Sequence, residues 1–250
     1  LLIGTEAGTN ISTSDDNTAI GYNAMHGNDS TAGTGTGRNT GMGSSVLYAI
    51  TTGQQNVAIG TSAGSTLTTT SHTVLIGHNA GLAINSTDAN GTVAIGMEAG
   101  KAITSGASNV AIGYEALKTT TTGLRNIAIG YEAMHDTDAG SSSSDSDNNI
   151  FIGYTAGGGA WADAKSEFNV AIGSNVMQGV LNGAVYNSAL GYFALASVTS
   201  GDKNVAVGSE AGYAITSATN NTFVGYQSGF ALIDGTSNTA MGMLSLSTDC

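Results

Sequence analysis

The sequence predicts an all-β protein, a parallel β-solenoid of about fourteen coils with a base period of 17 residues. Three observations predict this fold. A short motif recurs along the whole chain, and the residues around it are β-branched, small or polar. Pro, which lacks the N–H group that a strand ladder requires, does not occur among the 250 residues.

The motif consists of Asn, an apolar residue or Thr, Ala, Ile and Gly, then two variable residues and Ala, as in residues 109–116. Eight of the thirteen spacings between its glycines are 17 residues, and the others are longer. Longer spacings predict loop insertions on a fixed coil, the longest near residues 26–38, 135–148 and 157–168. The fourteen anchoring glycines are Gly4, Gly21, Gly43, Gly60, Gly77, Gly96, Gly113, Gly130, Gly153, Gly173, Gly191, Gly208, Gly225 and Gly242.

Each column of the repeat has a predicted structural role. The Val-Ala-Ile segment is expected to form one strand, and a second strand is expected after the Gly, carrying Ala116 and Leu117. The Ile before the Gly is expected to stack as a buried ladder. The Gly is expected to permit a close backbone approach, and the Asn to bond across neighbouring coils.

Both faces of the predicted strand are apolar. Side chains alternate between the two faces of a strand, so the Ile column and the Ala column point in opposite directions. The Ala column also contains larger members, such as Leu75, Phe151 and Phe223. In a monomeric solenoid one of these apolar faces would be exposed to water, so we expect an obligate oligomer packed along its length. The alternative is that Ala is tolerated on a solvated face.

The run Asn-Val-Ala-Ile-Gly at 56–60, 109–113 and 169–173 resembles the head repeats of YadA-like trimeric autotransporter adhesins. The longer-period copies, Ala-Ile-Gly-Tyr followed by Ala-Leu or Ala-Met at 111–117 and 128–134, resemble repeat shafts of bacteriophage tail-fibre proteins. The resemblance covers essentially the whole chain, and it implies a left-handed β-roll in a homotrimer. The 17-residue period and the later Ala favour the tail-fibre group. The resemblance supplies no catalytic residues.

Charge and composition exclude several functions. Six basic residues against 18 acidic ones, a net charge of −12, predict no binding of nucleic acid. No apolar stretch approaches the roughly 18 residues of a membrane-spanning helix, so no membrane insertion is expected. A single Cys excludes a disulfide scaffold. We predict no enzyme activity, no catalytic residues, no cofactor and no metal site.

Several residues are candidates for chemistry, each with a structural alternative. Glu98, Glu115 and Glu132 share one column, where stacked carboxylates repel; Lys101 and Lys118 lie near them and offset this slightly. A catalytic carboxylate pair would require a cleft. Trp161 is interpreted as a cover over the solenoid, with an exposed sugar-stacking aromatic as the alternative.

The loops provide two further candidates. The acidic loop 136–149, with Asp136, Asp138, Asp145 and Asp147, could bind Ca²⁺, but the favoured interpretation is a mobile acidic loop. The Thr-rich loops 65–73 and 118–125 are interpreted as solvated connections, with contacts to a surface glycan or receptor as the alternative. The four His residues, His26, His72, His78 and His135, fall on different phases of the repeat, without the spacing of a zinc site.

The sequence thus predicts that residues 1–250 are one continuous β-solenoid domain, an internal fragment of a longer fibre. We expect the structural rod of a trimeric extracellular fibre, on a virion tail fibre or a bacterial cell surface. The expected partners are two further copies of the chain and a cell-surface glycan or protein receptor. The alternative function is a bacterial adhesin head that binds host or matrix through its side loops. An ice-binding solenoid is disfavoured because the Thr runs fall in loops.

Overall fold

The computed structural model describes residues 1–10, 16–27, 37–137 and 145–247. It confirms the predicted fold class: the chain is an all-β parallel solenoid with a period of about 17 residues. Helix within these ranges is confined to 3-10 turns, of which one spans Thr87–Ala89. Parts of the predicted loop insertions at 26–38 and 135–148, including Asp138, lie outside the described residues.

The chain divides into two compact units, Leu1–Arg125 and Asn126–Cys250. The prediction of one continuous domain stays a prediction. Within each unit, strands pair in parallel with the next strand along the chain, with equivalent residues opposite each other, as Val57 with Val74 and Val170 with Ser188. The first unit contains β1 (Leu2–Ile3), β2 (Thr18–Ile20), β3 (Thr40–Met42), β4 (Val57–Ile59), β5 (Val74–Ile76), β6 (Val93–Ile95) and β7 (Val110–Ile112). The second contains β8 (Ile127–Ile129), β9 (Ile150–Ile152), β10 (Val170–Ile172), β11 (Ser188–Leu190), β12 (Val205–Val207), β13 (Thr222–Val224) and β14 (Thr239–Met241).

The second strand predicted after the Gly is not formed. The segment that carries Ala116 and Leu117 is a turn, because the second and fourth residues after the Gly take left-handed backbone conformations. In this coil they are Glu115 and Leu117, both with φ of 53°. Alternate left-handed residues cannot continue an extended strand, so each coil has one short strand followed by a tight turn.

The strand buries the Ala column and not the Ile column, so the predicted buried Ile ladder is wrong. Ala58 and Ala171 are fully buried, whereas Ile59 and Ile172 on the same strands are 37% and 39% exposed. The interior leaves little room opposite the middle strand residue. A Cβ on Gly41 of β3 would lie 2.9 Å from the Met25 Cε atom. A small residue fits there, and the branched Ile is turned outward.

Side-chain volumes inside the coil are matched between the strand and the turn. Where the middle strand residue is large, as in Leu75 and Phe151, the sixth residue after it is Gly. A Cβ on Gly81 would lie 2.7 Å from Leu75 Cδ2, and a Cβ on Gly157 would lie 2.5 Å from Phe151 Cδ1. Where the middle residue is Ala111, that later position holds the fully buried Leu117. The turn position is therefore restricted to Gly where the middle strand residue is large, and Gly also accompanies Ala58, Ala94 and Ala206.

The Asn column bonds from coil to coil, as predicted. In the second unit the backbone N–H of Asn204 donates to Asn187 Oδ1 at 3.0 Å, and that of Asn221 donates to Asn204 Oδ1 at 3.1 Å. The Asn204 side-chain amide also donates to the Ala218 carbonyl at 2.8 Å. Asn204 and Asn221 are fully buried, so these bonds satisfy polar groups that water does not reach.

The Gly column provides the close approach that the sequence predicts. Gly60 has φ of 129°, and a Cβ there would lie 2.6 Å from the Gly77 carbonyl oxygen of the next coil. In the second unit a Cβ on Gly208 would lie 2.5 Å from the Gly225 oxygen. No side chain fits between such backbones, so the column admits Gly alone.

Gly60→Ala is expected to prevent folding or to lower the free energy of unfolding by about 3 kcal/mol or more, because it combines strain at positive φ with a backbone clash. Gly91→Ala is the matched control: Gly91 has φ of 75°, but the nearest atom to its added Cβ is 3.6 Å away. We expect that control to lose only about 1–2 kcal/mol in urea denaturation. Equal losses in the two variants would contradict the close-approach argument.

The volume match predicts coupling between Leu75 and Gly81. Gly81→Ala brings a methyl group against Leu75, so it should be less harmful when Leu75→Ala has removed the obstructing carbons. A double-mutant cycle by urea denaturation should give a favourable coupling of about 1 kcal/mol or more. Additive losses would show that the two sites do not share the same space.

Candidate functional site

The candidate site is a surface that the strands present to the outside of the coil. We define the outward strand face as the first and third residues of each three-residue strand, together with the residue that follows the Gly. The period-two alternation of the strand directs these residues away from the buried Ala column. The sequence predicted that both strand faces are apolar, and the structure identifies Val and Ile as the outward side.

The outward strand face is predominantly apolar, with Thr and Ser residues such as Thr40 and Ser188 among its members. Val57 and Ile59 are 36% and 37% exposed, and Val205 and Val207 are each 37% exposed. No Asp, Glu, Lys or Arg belongs to the face, and His78 is its one member that can carry a positive charge. Contiguous uncharged apolar surface of this kind, repeated from coil to coil, is typical of surfaces that bind another protein chain.

Tyrosines extend the same face beyond the strands. Six copies have Tyr directly after the Gly, and all six rings are between 37% and 56% exposed: Tyr22, Tyr114, Tyr131, Tyr154, Tyr192 and Tyr226. In the second unit Tyr131 and Tyr154 stack with ring centroids 5.3 Å apart. Tyr is enriched where protein surfaces meet, since its ring packs and its hydroxyl stays satisfied. The sequence analysis used this Tyr only as part of the tail-fibre resemblance and did not predict that the rings form an exposed row.

A second cluster lies on the turn of the first unit, where lysines alternate with stacked glutamates. The ammonium group of Lys118 lies 3.1 Å from a Glu98 carboxylate oxygen and 3.0 Å from one of Glu115, and that of Lys101 lies 2.8 Å from Glu98. The predicted repulsion between these carboxylates is therefore balanced by cations, more completely than the slight offset expected from the sequence. The glutamates hold the turns of adjacent coils together.

The ion pairs change the protonation of this cluster. Hydrogen bonds from Lys101 and Lys118 lower the pKa of Glu98 from 4.5 to about 2, against the opposing effect of burial. The bond to Glu115, followed by that to Glu98, raises the pKa of Lys118. Glu98 keeps 14% of its side chain exposed. Glu98 is therefore ionised at neutral pH and is not available as a proton donor.

The structure places the remaining candidate residues apart from any common site. Trp161 is fully buried, donates its ring N–H to the Gly157 carbonyl at 2.9 Å and packs against Phe151 at 5.7 Å. It is a core residue and not a sugar-stacking surface. Among the described residues, no three His, Cys, Asp or Glu side chains lie close enough to hold a metal ion. Asp145 lies 3.9 Å from Lys165.

The Thr-rich loops are bonded from coil to coil. The Thr68 hydroxyl donates to the Asn85 carbonyl at 3.1 Å, and the Thr104 hydroxyl donates to the Thr121 carbonyl at 3.2 Å. Thr70 is fully buried, and its hydroxyl donates to the Ser86 carbonyl at 2.6 Å. The loops are therefore not solely solvated connections, because part of their Thr hydroxyl groups stabilise the stacking of coils.

Similarity to other proteins is not found at a significant level: no family model, curated protein or solved structure matches the chain. In the part of the chain that the structure describes, no helix is long and apolar enough to cross a membrane.

Glu98 predicts a pH dependence of stability. Its pKa is lower in the folded protein than its ordinary 4.5, so its contribution is present above about pH 4.5 and is lost as the pH falls towards 2. The unfolding free energy of the wild type should exceed that of Glu98→Gln by about 1–2 kcal/mol at pH 6, allowing for solvent screening of the lysines, and the difference should vanish near pH 2.

Chemical denaturation at several pH values measures this difference. Glu210→Gln is the control, because Glu210 occupies the same column of the repeat and accepts a hydrogen bond from the neutral Gln227 side chain at 2.6 Å. The loss of unfolding free energy at pH 6 should be larger for Glu98→Gln than for Glu210→Gln, because of the two only Glu98 contacts lysines. A pH-independent difference for Glu98→Gln would contradict the proposed role of the ion pairs.

Proposed function

We propose that the chain is the structural rod of a trimeric extracellular fibre, and that this fibre is a bacteriophage tail fibre that mediates host attachment. The observation that carries the proposal is the outward strand face. The solenoid supplies a repeating scaffold, and the outward strand face supplies the surface through which copies associate. Our proposal includes an extracellular location on a virion and no enzymatic role.

Self-association is supported by the chemistry of the outward strand face. Val and Ile side chains recur on most coils and Tyr on six of them, and a second copy in parallel register would meet the same residue at every level. Burying such surface stabilises an assembly by about 25 cal/mol per Å² of apolar area, before the cost of association. Because no carboxylate or Lys belongs to the face, burying it would not leave an unpaired carboxylate or ammonium group in the interface.

Three copies are proposed on the basis of the resemblance to trimeric fibres. A rotational axis parallel to the stacking direction would bring three equivalent strand faces together and close the assembly. The loops and turns of each copy would then remain outside. This arrangement leaves the side surfaces free for a receptor.

The second candidate function is a bacterial surface adhesin head whose side loops bind host or matrix. Exposed aromatic side chains outside the outward strand face favour this adhesin function. Phe168 and Tyr186 stack with centroids 5.1 Å apart and are 44% and 54% exposed. Binding of this chain alone to a host matrix protein would favour the adhesin over the tail-fibre rod.

Sedimentation equilibrium tests the association. Since the chain has a mass of 24.8 kDa, a trimer of about 74 kDa is expected. Replacing two residues of the outward strand face, Ile172→Asp and Val207→Asp, should shift the protein towards the monomer while the β-sheet circular dichroism is retained, because charges at the contact would be desolvated.

The matched control uses the residues directly before them, Ala171→Asp and Ala206→Asp. Both alanines are fully buried inside the coil, so this variant is expected to unfold. A monomeric wild-type protein, or an unchanged trimer in the Ile172 and Val207 variant, would contradict the proposed role of the outward strand face.

A further inference from the structure

A shallow groove of about 440 Å³ lies on the turn side of the first unit. The groove lies between two columns of the repeat on neighbouring coils. One column is the second residue after the Gly, and the other consists of the fifth and sixth residues after the Gly. Its lining includes Asn23, Ser45, Tyr48, Ser62, Ser65 and Thr66. None of these residues belongs to the outward strand face, so the groove is a separate surface of the coil.

The groove lining carries polar groups without partners in the described structure. Asn23 Oδ1 is buried and accepts no hydrogen bond. The hydroxyl groups of Ser45, Ser62 and Ser65 have no hydrogen-bond partner among the described residues. Buried polar atoms are normally satisfied, so an unsatisfied amide oxygen beside a row of free hydroxyl groups indicates room for a ligand that supplies the missing bonds.

The backbone N–H groups at the groove already have hydrogen-bond partners. The N–H groups of Ser45 and Ser62 donate to the Tyr22 and Ser44 carbonyls, each at 2.9 Å, and that of Asn23 donates to the Thr5 carbonyl at 3.0 Å. An extended peptide adds to a protein mainly through free backbone groups at a sheet edge. The groove offers side-chain amide and hydroxyl groups in their place.

Tyr48 provides an aromatic wall. Its ring is 40% exposed, and it stacks on His26 with centroids 5.1 Å apart and an interplanar angle of 18°. Stacking on His26 fixes the orientation of the Tyr48 ring before any ligand binds, which reduces the ordering cost of binding. The rigid ring and the hydroxyl row lie on the same small groove.

No residue that lines the groove carries a charge, and the chain has a net charge of −12. A phosphate, sulfate or carboxylate ligand would find no cation there, and a cationic ligand would find no carboxylate in the lining. A neutral sugar matches the uncharged lining, the unpartnered amide and hydroxyl groups and the exposed Tyr48 ring. Its hydroxyl groups both donate and accept hydrogen bonds, and its C–H face packs on an aromatic ring. We propose that this groove binds a neutral saccharide, with Tyr48 as the stacking platform and Asn23 and the serines as hydrogen-bond partners.

The test uses the whole chain on an array of neutral and of sialylated or sulfated oligosaccharides, followed by calorimetric titration of the strongest neutral ligand. Tyr48→Ala is expected to weaken binding at least tenfold, whereas Tyr48→Phe, which keeps the ring, should bind within about threefold of the wild type. Asn23→Gly should weaken binding several-fold. Gly suits the φ of 53° at that position, so the loss would report on the amide and not on backbone strain.

Tyr213→Ala is the matched control, because Tyr213 is also the fifth residue after its Gly and stacks on an aromatic ring, Phe230 at 5.1 Å, but lies in the second unit. It should leave binding unchanged, and each variant should retain the melting temperature of the wild type within a few degrees. The proposal is overturned if no neutral oligosaccharide binds, if only anionic ones bind, or if Tyr48→Ala and Asn23→Gly bind as the wild type does. Sugar binding and trimer formation use different residues, so either can fail without the other.

Discussion

The backbone contact between consecutive glycines sets the distance between coils, and the other interactions depend on it. A Cβ on Gly60 would lie 2.6 Å from the carbonyl oxygen of Gly77, so the chain permits no side chain at this point. Because the coils approach so closely there, the strand beside them pairs in parallel register, and the Asn column reaches the N–H of its equivalent one coil away. The glutamates of the turn are likewise brought into a stack that requires Lys118 between them.

The coil interior is a narrow space whose volume is divided between strand and turn. A large strand residue such as Phe151 faces Gly157, whereas Ala111 faces a turn that holds the buried Leu117. From β2 to β14 the inward column is buried and mostly Ala, and the Ile column points away from the core. The outward strand face is therefore a consequence of interior packing, and the apolar surface it leaves on each coil is the basis of the proposed association.

The period, the Gly contact and the Asn bonds could be predicted from the sequence, because each recurs in a fixed column with one physical explanation. The buried side of the strand could not. Alternation of Ala171 and Ile172 gives two apolar faces, and the choice between them depends on turn residues across the coil. The sequence predicted a strand at Ala116 and Leu117 where the structure has a turn. Glu115 and Leu117 take left-handed conformations there, but neither is Gly, so the sequence carried no signal for a turn. The groove beside Tyr48 escaped prediction because its serines come from different coils and meet only after stacking.

The left-handed residues of the turn have a consequence for the folding pathway. Of the thirty-three described residues other than Gly that have positive φ, 21 lie in these turns, and each costs about 1 kcal/mol or more in an isolated chain. A single coil has no neighbour to supply compensating hydrogen bonds, so it is unstable alone. Folding must begin with a costly nucleus of several stacked coils and then extend one coil at a time, with each new coil templated by the last. Nucleation should therefore limit the folding rate, and growth should be fast once a nucleus exists.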